Sequence, residues 1–322
     1  MSVVVTGGSG VVGSAVVRHL VVAGVTPRCV SRTPTSDAVV GELGATPVRG
    51  DVADPASLRA AFDGAEIVYH IAGVNTMCPV DAEPMMRANI GGSRNVMAAA
   101  EAAGVRRVVY TSSAAAIGES EGEVGTETSV HRGWYLSQYE RSKHLAERAV
   151  FEAADRVELV VVNPSSVQGP GRATGTGALI LALLRGKLPA LIDTRLSIVD
   201  IDDCAQGHLG AATHGKSGER YLLNSFTMTM RDAVSMLEET VGRPVAVRWV
   251  PAWVASLGVV PVEAVARLRG VKPSFCREMV RTLRHGHAYD GSKAASELAV
   301  DYTSAPALLT RLVDWFGSEG ML

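Results

Sequence analysis

Short apolar runs alternate along the chain with longer stretches whose apolar positions recur at helical spacing. Val3-Val4-Val5 is apolar throughout, as a strand buried on both faces requires. The stripe that follows (Val12, Ala15, Val16 and Leu20) lies on one face of a helix closed by Gly24. The same pattern predicts strands over 2–6, 28–32, 46–49, 66–72, 106–112 and 157–163, and helices near 11–23, 55–62, 83–103 and 138–154. Strands separated by helices pair in parallel, and a parallel sheet needs helices on both faces. The expected fold is therefore α/β, a doubly wound parallel sheet.

Ligands of such sheets bind beyond the carboxyl ends of the strands, and the notable motifs fall there. Gly7 to Gly13 follows the first strand, Ser31-Arg32 the second, Asp51 the third, Ala72-Gly73 the fourth and Ser112-Ser113 the fifth. Gly7, Gly10 and Gly13 have the spacing G-x-x-G-x-x-G between a strand and a helix. Such glycines let the chain turn tightly and approach a pyrophosphate, which the helix N-terminal amides then face. Taken alone, the spacing could also mark a tight strand–helix turn.

Tyr139-Glu-Arg-Ser-Lys143 places a phenol and an ammonium on one face of a predicted helix. A nearby positive charge favours the ionised phenol and would lower a pKa that starts near ~10, suiting it to proton transfer. Tyr289-Asp-Gly-Ser-Lys293 repeats the spacing, but Asp290, Gly291 and Ser292 favour a turn or an N-cap. The first pair is thus the chemical candidate and the second a decoy.

Composition narrows the class. The 322 residues fit one large domain, or one with a smaller lobe. A net charge of -2 offers no basic field for nucleic acid. A first strand starting at residue 2 leaves no room for a leader, and the apolar stretch Trp253 to Leu268 is broken by Pro261 and Glu263 and short for a membrane span. Cys29, Cys78, Cys204 and Cys276 have no C-x-x-C or metal spacing, so they are expected as reduced thiols in a cytoplasmic protein. No metal ligand set is read; His70 reads as a satisfied strand residue.

With these residues assembled, the chain resembles the extended short-chain dehydrogenase/reductase family over nearly its whole length. The segments Thr6-Gly7 to Gly13, Gly50-Asp51-Val52, His70 to Gly73, Asn89 to Gly92, Thr111-Ser112-Ser113, Tyr139 to Lys143 and Asn163-Pro164 follow that family's landmarks in order. Leu191 to Gly210 and Tyr289 to Phe316 look most like the branch of dihydroflavonol reductases, 3β-hydroxysteroid dehydrogenases and hopanoid-associated sugar epimerases. The resemblance implies a Rossmann domain over 1–164 and 197–223, with a smaller, discontinuous C-terminal substrate lobe over 165–196 and 224–322. It implies Ser113, Tyr139 and Lys143 as catalytic residues. Cofactor contacts would come from Gly7, Gly10, Val11, Val12, Gly13, Ser31, Arg32, Asp51, Val52, Ile71, Ala72, Gly73, Tyr139, Lys143, Pro164 and Val167. Adjacent strand side chains point to opposite faces, so only one of Ser112 and Ser113 can face substrate. Asn89 is expected to tie backbone together.

The implied activity is NAD(P)-dependent interconversion of a ketone or aldehyde and an alcohol. Where NAD-binding relatives place an acid on the ribose 2′-hydroxyl, this chain has Ser31-Arg32, and its first acidic residue is Asp37. A hydroxyl beside a guanidinium suits a 2′-phosphate, so NADP is favoured over NAD. Asp51 resembles the family's adenine-contacting Asp, or caps the helix that begins near Pro55. Ala114-Ala115 stand where sugar dehydratases carry an acidic pair, which disfavours elimination. Nucleotide-sugar epimerase is second: Leu196 occupies the diphosphate-Arg position, with Arg195 one step off, and Ile117 replaces a frequent Tyr. A redox sensor without turnover is the non-enzyme alternative, although the retained Tyr139 and Lys143 argue against it. Leu179, Leu181, Leu183, Leu184, Leu188 and Trp249 to Leu268, with Met77, His131, Trp134 and Tyr135, would either line a pocket for a partly apolar substrate or simply form core. Helices 83–103 and 138–154 are those through which many relatives dimerise.

Overall fold

The valine-rich segments form β1 (Val3–Thr6), β2 (Arg28–Ser31), β3 (Thr46–Arg49), β4 (Ile67–His70), β5 (Arg107–Thr111), β6 (Glu158–Pro164) and β9 (Arg220–Leu223). The computed structural model describes residues 2–188, 190–273 and 275–322. The strands make one parallel seven-stranded sheet in the order β3-β2-β1-β4-β5-β6-β9, which is a Rossmann arrangement. Alternate residues of one strand reach opposite faces. Val3 and Val5 pack with Val16 and Leu20, whereas Val4 packs with Leu58, Phe62, Val96 and Met97. Leu58 and Phe62 are fully buried, and each contributes about 1.5–3 kcal/mol by leaving water. The strand order reverses between β1 and β4, so the turns after these strands open one crevice.

The flanking helices α1 (Val11–Val22) and α3 (Pro55–Phe62) follow the sequence pattern. An unforeseen helix, α2 (Pro34–Glu42), buries only Val40, so it has no apolar stripe to betray it. Its signal was the cap: Thr33 and Ser36 form a capping box ahead of Pro34. The helix expected over 83–103 is α4 (Glu83–Met86), one π turn (Arg87–Gly91) and α5 (Gly92–Ala102). Such π turns often sit at functional sites. α6 (Gln138–Glu152) starts at Ser137, whose hydroxyl accepts from the Glu140 amide.

The rest of the chain forms β7 (Ser166–Gln168), α7 (Thr176–Leu184), β8 (Arg195–Asp200), α8 (Ile201–Thr213), β10 (Phe226–Thr229), α9 (Met230–Val241), α10 (Ala252–Leu268), α11 (Arg277–His285), α12 (Ser292–Glu297) and α13 (Ala305–Ser318). β8 pairs in parallel with β7 and antiparallel with β10, giving a second sheet of three strands. Leu183 and Leu184 sit in the core beneath it with Leu237, Leu312 and Phe316, while Leu179, Leu181 and Leu188 pack against that core. These leucines are core, the plainer of their two expected roles. α10 contains Pro261 and leaves Trp253, Leu257 and Leu268 exposed. Among the described residues, no helix is long and apolar enough to cross a membrane.

The cysteine expectation needs correction. Cys78, in the loop after β4, and Cys276, which caps α11, form a disulfide with their Cα atoms 5.8 Å apart; Cys29 and Cys204 are free and buried. The partners are 198 residues apart in sequence, so no local spacing announces them. The pairing removes the cysteine argument for a reducing compartment.

Candidate active site

The glycine turn after β1 is tightly built. Gly7 has φ +76, and a Cβ there would meet Ala72 N at 2.6 Å; a Cβ on Gly13 would meet Gly7 O at 2.0 Å. Glycine at 13 therefore lets α1 press its first turn against the β1 turn. Gly10 is exposed, precedes α1 and supplies no capping side chain, so the amides of Val11 and Val12 open outward. This is the cradle a pyrophosphate requires. Thr6 ties it to the neighbouring turn: Ile71 N donates to Thr6 O at 3.2 Å and Ala72 N to Thr6 Oγ1 at 3.3 Å. His70 bridges Thr6 Oγ1 (2.8 Å) and Ser93 Oγ (3.1 Å), and burial lowers its pKa to about 3, so it is a neutral structural residue.

At the end of β2, Ser31 is buried and donates to Ser36 Oγ at 2.9 Å. Arg32 is largely exposed, with only a loose ion pair to Asp51 at 3.8 Å. Both stand at the N-terminus of α2, which the sequence pattern had hidden. Asp51 Oδ1 accepts from Ala53 N at 2.9 Å, while the cap of α3 is Asp54, accepting from Ala56 N at 3.0 Å. Val52 lies over Gly92, and its carbonyl accepts from Asn95 at 2.9 Å.

The chemical half gathers where β5 ends. Lys143, on the buried face of α6, donates from Nζ to Thr111 O at 3.0 Å. Burial lowers its pKa to about 8, opposed by Glu147. A Cβ on Gly73 would lie 3.5 Å from Lys143 Nζ and 3.3 Å from Asn89 Oδ1, so the turn after β4 and helix α6 share one wall. Asn89 fastens that wall: Nδ2 donates to Val74 O and to Ser142 Oγ, both at 2.9 Å, and Oδ1 accepts from Val74 N at 2.7 Å. The π turn holds Asn89 there. Ser113 follows β5; its hydroxyl accepts from Ala115 N at 3.3 Å and is near enough to the Tyr139 phenol to lower its pKa. Ser112 is buried, and its hydroxyl has no partner among the described residues.

The tuning of Tyr139 differs from the expectation. Burial raises its pKa; Ser113 and then Arg172 oppose that rise, and Lys143 is not among the groups that shift it. The ammonium is instead engaged by the Thr111 carbonyl. Arg172 is the residue that sequence reasoning missed. It follows β7 in Gly169-Pro-Gly-Arg172, donates from Nη1 to Val167 O at 2.6 Å, and leaves Nε without a partner. Nothing in its local pattern shows that a loop after β7 brings a guanidinium toward a tyrosine on α6. Asn163, a landmark in the sequence with no role assigned to it there, donates to Glu147 Oε2 at 2.6 Å and to Ser113 O at 3.1 Å, fixing the segment that carries Ser113. Pro164 ends β6 and Val167 is buried in β7, beyond the same strand ends.

The second Tyr–Lys pair diverges. Asp290 accepts from Ser292 N at 2.9 Å, Lys293 reaches Glu219 at 2.7 Å, and Tyr289 Oη lies 3.0 Å from His287 Nδ1. His131 packs on His144 with ring centroids 4.1 Å apart and on Tyr135 at 5.1 Å, while Trp134 is exposed beside Arg132. A separate hollow of about 580 Å³ is bounded by Arg195, Asn224, Phe226, Tyr289 and Asp290, and none of Ser113, Tyr139 or Lys143 lines it.

Residues 3–223 match the model of the NAD dependent epimerase/dehydratase family. A relative from Synechocystis sp. named "Putative dihydroflavonol 4-reductase" is 34% identical, covering 98% of this chain and 94% of its own. Sterol demethylase protein B of Methylococcus capsulatus is 30% identical over the full length of both chains. The crystal structure of gox2253 superposes with a TM-score of 0.86 at 35% identity, covering 100% of this chain and 99% of that one. Glycine cradle, strand order and these likenesses agree: the chain belongs to the NAD dependent epimerase/dehydratase family of extended short-chain dehydrogenases/reductases and is an NAD(P)-dependent oxidoreductase.

Proposed function

We propose that the protein reduces a ketone or aldehyde to an alcohol with NADPH, or runs the reverse oxidation, on a substrate with an apolar portion. The observation that carries this is the shared wall at Gly73, which sets Lys143 Nζ beside the cofactor turn while Ser113 and Tyr139 stand together beyond β5. The bound dinucleotide supplies or accepts hydride. Ser113 and Tyr139 hold the substrate oxygen, and the Tyr139 phenol gives up or receives the proton on that oxygen. The raised phenol pKa suits the donor role, and Ser113 and Arg172 stabilise the phenolate left behind. Lys143 would hold the nicotinamide ribose. Arg32, exposed at the α2 N-terminus beside Ser31, supports NADP over NAD, because guanidinium and helix amides both attract a 2′-phosphate. The sterol and flavonol in two relatives' names support a partly apolar substrate.

Tyr139→Phe tests the reading. Turnover with a ketone panel should fall about 10²–10⁴-fold, as expected for a lost general acid, with NADPH binding retained; near-normal turnover would remove Tyr139 from the role. The second reading, a nucleotide-sugar epimerase, is favoured by one observation, that Arg195 borders the 580 Å³ hollow. Interconversion of a UDP-sugar without net cofactor consumption would support it. Binding with no chemistry on either panel would mark a sensor.

A further inference from the structure

Away from the proton-transfer residues, Glu119, His285 and His287 converge from distant parts of the chain. Glu119 lies in the segment between β5 and α6. His285 is the last residue of α11, and His287 follows Gly286, whose φ of +64 turns the chain between them. The two imidazoles end with ring centroids 5.0 Å apart. Glu119 Oε1 is 2.6 Å from His287 Nδ1 and 3.5 Å from His285 Nε2, and the three donor atoms all lie within 4.8 Å of one another.

The cluster is underbonded for its depth. Glu119 is 1% and His285 6% exposed, yet Glu119 Oε2 and His285 Nε2 have no hydrogen-bond partner among the described residues. A buried unsatisfied polar atom is costly, so two in one cluster call for a group that serves both. A cation meets that need, since a carboxylate oxygen offers a lone pair and so does Nε2 in the imidazole tautomer that carries its proton on Nδ1. The nearest fixed positive charge does not. Arg132 donates to the Glu119 backbone carbonyl at 3.1 Å and ion-pairs with Glu140, leaving the Glu119 carboxylate to the two histidines and the Tyr289 phenol beside them. Two imidazole nitrogens and one carboxylate oxygen are a zinc-type set with room for a fourth ligand. Calcium or magnesium would ask for more oxygens. With bonds of ~2.0–2.2 Å, neighbouring ligand atoms sit roughly 3.0–3.5 Å apart, so the present spacings need shifts of about an ångström. Tyr289 Oη lies 3.0 Å from His287 Nδ1, but burial and Glu119 hold its pKa well above 10, so the fourth position falls to water, and the partly exposed edge of His287 gives a way in.

We propose that Glu119, His285 and His287 bind one divalent transition-metal ion, zinc by preference, which pins the segment after β5 to the end of α11. α11 is already tied at its other end, because Cys276 is joined to Cys78. A metal at His285 would fasten both ends of one helix. Its role is structural, since none of the three residues touches Ser113, Tyr139 or Lys143 in the contacts above. The sequence shows His285-Gly-His287 but gives no sign that Glu119 meets it.

The test uses tag-free full-length protein, stripped with chelator and dialysed against zinc chloride. One equivalent of retained zinc, a higher Tm with zinc but not with magnesium, and visible d–d absorption on cobalt substitution are expected. Glu119→Gln and His287→Asn should each abolish the retained equivalent, whereas His19→Gln, a change at a histidine paired with Asp202 elsewhere, should keep it. Circular dichroism of each variant separates lost binding from lost folding. Substoichiometric zinc on the wild-type protein, an unchanged Tm, or an equivalent kept by folded Glu119→Gln would leave only a hydrogen-bonded cluster and overturn the assignment.

Discussion

Replacing Lys143 with methionine should make the cofactor-free protein more stable while removing its activity. The side chain is 7% exposed, and burial holds its pKa at about 8 against an ordinary 10.5. That depression means that the folded state disfavours the ammonium at pH 7 by about 3 kcal/mol. Methionine is unbranched like lysine, one heavy atom shorter, and carries no charge. It forfeits the hydrogen bond to Thr111 O, which costs about 1–1.5 kcal/mol. Glu147 keeps Asn163 and Arg220 as partners. The net expectation is about 2 kcal/mol of added stability, or about 3 °C in Tm for a chain of this size. The pH dependence provides a control. Between pH 8 and 10.5 the unfolded lysine is protonated and the folded one is not, so wild-type stability rises with pH and the advantage of Lys143→Met must shrink. Urea melts of both proteins from pH 7 to 10, with turnover measured alongside, decide the matter. A variant no more stable than wild type at pH 7, or a gap that fails to close at higher pH, would refute the reasoning.

Other consequences follow from the same geometry. Arg32→Ala should weaken NADPH binding about 10- to 100-fold, as loss of a charge-assisted phosphate contact would, and leave NADH binding nearly unchanged; equal effects on both cofactors in titration would place the 2′-phosphate elsewhere. His208 is buried between Thr111 Oγ1 (2.8 Å) and Cys204 O (2.7 Å), and burial lowers its pKa to about 4. The unfolded chain binds that proton between pH 6.5 and 4, so this stability is present above pH 6.5 and lost on acidification. His208→Gln should therefore lose about 2 kcal/mol less than wild type between pH 7 and 5 in urea melts, and parallel losses would assign the acid sensitivity to other groups. Cys276→Ser should cost about 2–5 kcal/mol under oxidising conditions, since Cys78–Cys276 closes a long loop. Identical melts of wild type and variant would mean that the pair adds nothing to stability.

The sequence by itself determined the layered sheet, the glycine turn and the tyrosine–lysine helix, because each is written in neighbouring residues. Apolar runs fix which segments are strands, G-x-x-G-x-x-G fixes one turn, and an uninterrupted stretch from Gln138 to Ala154 fixes the face that Tyr139 and Lys143 share. The broken helix at Asp290 to Ser292 likewise separates Tyr289 from Lys293 locally. Tertiary structure decided what depends on burial and on distant contact. The amphipathic pattern gives no reason for α2, whose cap and not its stripe creates it. Ser113 and Arg172, and not Lys143, oppose the effect of burial on Tyr139, and Arg172 comes from the loop after β7. The Cys78–Cys276 link and the meeting of Glu119 with His285 and His287 join segments far apart along the chain. A local pattern encodes local periodicity and turn chemistry, whereas pKa values, pairings and ligand sets arise only when remote segments exclude water together.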